Sequence, residues 1–228
     1  MLDHHEGETF VPARSSSARR KTARVVAIGG VALTVGIGAT VAWAAIVTDN
    51  MFPTRYAQGI CRDDPEGGDG RITCRTDNAT LTYYMDSKNP GKLEADDKAD
   101  VRKSMKYDFN PTDLKVKEHK SPVLKGSAET DIIYQESSSK LPRNADGVTW
   151  CNDAASSTKC DQQYVRIRPQ YTRGMACHET GHAVGLLHGD QAYPKKSKKD
   201  KALGCMKTPV GSNQNLGSNN KGNINRTY

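Results

Sequence analysis

Between Val25 and Val47 the chain runs VVAIGGVALTVGIGATVAWAAIV, twenty-three residues without a charge. A helix crossing the hydrocarbon layer of a membrane needs roughly 20 residues, so this stretch predicts one transmembrane span over residues 25–47. Arg14, Arg19, Arg20, Lys21 and Arg24 precede it and Asp49 follows closely. The positive-inside rule then sets the N-terminus in the cytoplasm and residues 48–228 outside the cell membrane. The nearest alternative is a cleaved signal peptide. Ala42-Trp43-Ala44 has the small-x-small form of a cleavage site, and cutting near Ala44 would release the rest as a secreted protein. Residues 1–24 are polar, show no apolar period and read as a disordered tail.

Beyond the span the pattern becomes that of a globular domain. Residues 48–78 read as a linker, because Asp63-Asp64-Pro65-Glu66-Gly67-Gly68-Asp69-Gly70 has loop composition and is flanked by Cys61 and Cys74. Residues 80–85 are rich in β-formers and predict a strand. From residue 93 to 109, Leu93, Val101, Met105 and Phe109 form one apolar stripe on a charged helix. Short strands are expected at 114–117, 131–134, 147–151 and 163–168, followed by a helix around residue 180. A strand, a helix, several strands and a further helix indicate an α+β class with a mixed sheet, in a domain spanning 79–210. Residues 211–228 are rich in Asn, Gly and Ser and read as a disordered polar tail.

Composition narrows the function. The net charge of +7 includes basic clusters at 19–24 and 195–201, neither interleaved with aromatics. Nucleic-acid binding is not indicated, since it favours a basic groove or recognition helix. Lys195–Lys201 reads as a solvated loop rather than a site for anionic polymers or lipids. The Asp/Gly run at 63–70 does not match an EF-hand loop, so calcium is unsupported.

Candidate chemistry concentrates in His178-Glu179-Thr180-Gly181-His182-Ala183-Val184-Gly185-Leu186-Leu187-His188. Residues four apart on a helix share a face, so His178 and His182 can present two imidazoles to one ion. Gly185 can adopt angles that end the helix and turn the chain back, bringing in His188 as a third ligand. Three protein ligands with one open position describe catalytic zinc, whereas structural zinc takes four. Catalytic zinc acidifies water and polarises carbonyls, and Glu179 is placed to be the general base.

The spacing H-E-x-x-H-x-x-G-x-x-H resembles the signature of the metzincin metalloproteases, and Met206, 18 residues after His188, resembles their Met-turn methionine. The likeness is strongest to matrixin-like and snapalysin-like small extracellular proteases. It implies a zinc metalloendopeptidase acting as a monomer on extracellular proteins. It also implies a zincin fold with a twisted sheet, a small C-terminal subdomain, an apolar floor at Met206 and substrate bound along an edge strand. Three departures stand out. His188 occupies the third-ligand position that is aspartate in snapalysin-like enzymes, which leaves Asp190 as an outer partner or reserve ligand. No tyrosine follows Met206 closely, and the polar C-terminus leaves little for a third helix. The alternative function is a catalytically idle zincin-fold module that binds surfaces with zinc. The intact Glu179 speaks against it.

Six cysteines beyond an export signal predict three disulfides, and six allow fifteen pairings. Sequence neighbours suggest Cys61–Cys74 and Cys151–Cys160, which leaves Cys177 with Cys205. That last bridge would fasten the first ligand's helix to the methionine turn.

Overall fold

The computed structural model describes residues 47–64, 74–126, 128–137 and 141–228. Among the described residues six strands form one sheet: β1 (Arg75–Thr76), β2 (Thr80–Met85), β3 (Lys115–Glu118), β4 (Ile132–Glu136), β5 (Gly147–Ala154) and β6 (Lys159–Ile167). Strands β3, β2, β4 and β6 are parallel neighbours in that order, and β1 adds parallel to the start of β6. Only β5 is antiparallel, and it pairs with β6 alone. The expected α+β zincin class is corrected by this sheet: the domain is α/β, with a mostly parallel sheet. The connection explains the difference. Parallel neighbours cannot be joined by a tight turn, and helix α1 (Ala95–Ser104) supplies the crossover from β2 to β3.

Strand β2 alternates cleanly, with Leu81, Tyr83 and Met85 buried and the residues between them more open. The buried face packs with Leu93, Val101, Met105 and Phe109, the stripe expected on one helix. That helix is interrupted: α1 passes at Met105–Phe109 into a π-helical turn. A capping box between Glu94 and Asp97 starts α1. Helix α2 (Arg173–Ala183) packs on α1 and on β5 and β6. Its first residue, Arg173, holds the buried Asp108 at 3.0 Å.

Both ends of the described domain depart from expectation. Residues 48–54, read as linker, are built into the fold: Asp49 bridges to Tyr193, Met51 to Leu186, and Asn50, Met51 and Phe52 are buried. Residues 211–228, read as a disordered tail, contain helix α3 (Ser218–Thr227) with Asn219, Asn220, Asn223 and Ile224 buried. The physical reason is the same for both. Asn219 Oδ1 accepts the N–H groups of Val47 and Thr48 at 2.8 and 3.0 Å. Asn223 Nδ2 donates to Thr48 O and Asn50 Oδ1. Buried backbone groups must be satisfied, and here asparagine amides satisfy them.

The tail over 1–24, the transmembrane span over 25–47 (all but Val47) and the cleavage site near Ala44 lie outside the described residues. Among the described residues no helix is long and apolar enough to cross a membrane. The expected single-pass placement in the cell membrane is corrected accordingly. What the structure supports about location is an oxidising environment, because all six cysteines are paired.

Candidate metal centre

Thr172 caps helix α2 by accepting the N–H of Met175 at 3.2 Å. Eleven residues later the helix ends in a Schellman turn. The N–H of Leu186 reaches Gly181 O at 2.7 Å, that of Gly185 reaches His182 O at 2.9 Å, and Gly185 takes φ +97°. A side chain at Gly185 would also meet Arg75 Cβ at 2.6 Å. The turn reverses the chain, so that His188 comes back over the helix face bearing His178 and His182.

The three imidazoles converge. Their Nε2 atoms lie 3.2, 3.2 and 3.1 Å apart pairwise. Nitrogens at zinc–nitrogen distances in a tetrahedron would be about 3.3 Å apart, so the donor set fits one such ion. The outer nitrogens are fixed by main-chain carbonyls: His178 Nδ1 lies 2.6 Å from Cys205 O, and His182 Nδ1 lies 2.8 Å from Leu186 O. A carbonyl only accepts, so both Nδ1 atoms carry the proton and both Nε2 lone pairs face the centre. Burial, then the charge of His188, pushes His178 down to about 4. Burial also lowers His182 well below its ordinary value and lowers His188. All three are therefore neutral near pH 7, the form that can bind a metal.

Glu179, next along α2, is buried beside strand β5. Its Oε2 accepts the hydroxyl of Thr149 at 2.8 Å, and burial pushes its carboxyl up to about 7, with Asp146 adding to the rise. Between His178 and His182, Thr180 turns away into the core, where its hydroxyl meets that of Tyr134. Met206 is fully buried, and a Cβ on Gly181 would stand only 2.2 Å from its Sδ, so the methionine packs directly against the helix turn between His178 and His182. The three disulfides are Cys61–Cys74, Cys151–Cys160 and Cys177–Cys205. Cys61, Cys151 and Cys160 also lie close enough together to suggest a metal group, but each is already bonded to another sulfur.

A cleft of about 450 Å³ opens over the centre, lined by Gly147, Val148 and Thr149 of β5 and by Thr208, Pro209 and Val210. Of the site residues anticipated from sequence, His178, Glu179, His182, His188, Met206 and the Cys177–Cys205 pair come together. Asp190 does not. Its carboxylate is half exposed and pairs with Lys198 at 3.3 Å, outside the group of possible metal ligands. Residues that the sequence did not single out are Thr149, Gly147 and Asn50, whose contacts come from strands and segments far away in the chain. No protein-family model matches this chain, and no curated protein matches it.

Proposed function

We propose that the chain is a zinc-dependent metalloendopeptidase of metzincin-like design, with His178, His182 and His188 as ligands and Glu179 as general base. The observation that carries the reading is the neutral three-nitrogen cluster beside a buried carboxylate, at the floor of an open cleft. When bound, zinc supplies a Lewis acid and a more acidic water. The chain supplies the rest. Glu179, with a carboxyl raised to about 7, can take a proton near neutral pH and return it to a leaving amine. Strand β5 pairs with β6 alone among the described residues. From Cys151 onward its outer edge is taken by Asp63 and Asp64, so it is residues 147–150 that can receive an extended peptide as an added strand, which lays a peptide bond across the cleft beside Glu179. Backbone recognition of this kind suits proteins as substrates without demanding one sequence.

The test uses the full chain. The parent should bind one zinc and cleave casein, lose cleavage to a chelator and regain it with added zinc. Glu179→Ala should retain the zinc and lose cleavage. A Glu179→Ala protein that cleaves casein at the parent rate overturns the assignment. A parent that holds zinc without hydrolysing any peptide in a broad library returns the site to the idle binding module.

A further inference from the structure

Gly147 and Thr149 are two residues apart on β5 and so share a face, and that face meets Glu179. On one side Thr149 Oγ1 lies 2.8 Å from Glu179 Oε2 and 2.9 Å from the main-chain oxygen of Glu179. On the other, a Cβ on Gly147 would stand 2.5 Å from Glu179 Oε1 and 2.8 Å from its Cδ. The missing side chain makes room for the carboxylate and the hydroxyl holds it. Among the described residues no other group hydrogen-bonds the carboxylate, so its orientation rests on a single hydroxyl.

We propose that Thr149 is the positioning residue of the site, anchoring Oε2 of Glu179 against β5 so that Oε1 is the oxygen presented to the cleft. The proposal rests on Glu179 acting as the base. A glutamate on a helix has three side-chain torsions, and a base must meet its proton within hydrogen-bond reach. Burial excludes some of those conformers, and the Thr149 bond selects among the remainder. A hydroxyl has one proton to give. The geometry gives that proton to Oε2 of Glu179, at 2.8 Å. One oxygen is thereby tethered and the other is left free to exchange a proton with substrate.

The experiment compares Thr149→Val, which keeps the shape, with Thr149→Ser, which keeps the hydroxyl, in the full chain loaded with zinc. Zinc content, melting temperature, kcat and KM are measured for each on one peptide substrate. Misplacement of a catalytic group on this scale costs about ten- to a hundredfold, so Thr149→Val should lose about that much in kcat with zinc content and KM unchanged. Thr149→Ser should remain within about threefold of the parent, as the hydroxyl argument requires. If Thr149→Val fails to fold, Thr149→Ala against Thr149→Ser, which differ by one oxygen, makes the same comparison. Parent-like kcat in Thr149→Val, or equal losses with and without the hydroxyl, overturns the proposal. The outcome separates from that for the base itself. An inactive Glu179→Ala beside a fully active Thr149→Val removes the positioning role alone, whereas an active Glu179→Ala removes both.

Discussion

His178 Nδ1 donates to the carbonyl oxygen of Cys205 at 2.6 Å, and Cys205 is the residue whose sulfur is bonded to Cys177. Two neighbouring residues of α2 are thus tied to one residue of the turn below, one by a covalent bond and one by a hydrogen bond. Cutting the covalent tie should loosen the other. The Cys177→Ala/Cys205→Ala variant is expected to bind zinc about 10–100-fold more weakly, the usual loss when a ligand's outer partner is disturbed. It should also lose about 2–5 kcal/mol of stability. Competition titration with a zinc chelator and urea unfolding measure the two effects. An unchanged zinc affinity would show that the carbonyl stays in place without the sulfur bridge.

Gly185→Ala strikes the reversal that delivers His188. The position combines φ +97° with a Cβ site 2.6 Å from Arg75 Cβ. The left-handed angle alone costs an L-residue roughly 1–2 kcal/mol, and the clash adds to it. The expected result is a loss of about 2–3 kcal/mol, overpacking included, with weakened zinc binding, because the strain relaxes by moving the segment that carries His188. Thermal unfolding with and without zinc tests this: the melting point of the variant should rise less on adding zinc than that of the parent.

Asn220→Ala removes more than its exposed-looking composition suggests. Asn220 Nδ2 donates to Leu203 O and Leu216 O, both at 2.7 Å, and its Oδ1 accepts from Asn50 Nδ2 at 3.0 Å. Each buried polar group left without a partner costs roughly 1–3 kcal/mol, so a loss above about 2 kcal/mol is expected in urea unfolding. Asn213→Ala, at an exposed position, should change stability by no more than about 0.5 kcal/mol. Equal effects from the two would mean the buried amide network contributes nothing.

These asparagines also mark where the sequence stopped being legible. The clustering of His178, His182 and His188 could be read because their spacing is local: one helix face and one turn bring them together. Met206 and the cysteine pairs could be anticipated from resemblance and neighbourhood. The strand and helix positions were visible as a run of β-formers over residues 80–85 and as an apolar stripe at Val101, Met105 and Phe109. Strand order was not, since nothing in the pattern of β2 says that it lies between β3 and β4 and runs parallel to both. Helix α3 was hidden because Asn219, Asn220 and Asn223 make up most of its buried face beside Ile224, and hydrogen bonds from their side-chain amides to distant parts of the chain stabilise burial there more than hydrophobicity does. Thr149 was likewise an ordinary strand residue until β5 and α2 met.

Asp131 gives a pH dependence independent of the metal site. It is buried, accepts hydrogen bonds from Thr76 and Thr82, and burial pushes its carboxyl from 3.8 up to about 6. A raised carboxyl binds its proton more tightly in the folded chain. Its contribution to stability is therefore complete below the unfolded value and is lost as pH rises through the folded one. Between about pH 4 and 7 the loss should approach about 3 kcal/mol, at 1.36 kcal/mol per pKa unit. Unfolding free energies of the parent and Asp131→Asn, measured at each pH, isolate this group from the rest of the protein. Their difference should shift in favour of the variant as pH rises, and a flat difference would refute the assignment.

The contacts between residues 47–50 and 219–223 join positions 169 to 175 residues apart. Asn50 in turn grips Leu187 through both its main-chain oxygen and its side-chain amide, one residue before His188. His188, the proposed third ligand, is therefore held by a clasp that closes only when the two ends of the domain find each other. Closing so long a loop is entropically unfavourable until its contacts form. A refolding chain should regain helix and strand signals first and its capacity to hold zinc last. Zinc retention is then a gauge of completed folding as well as of an intact site.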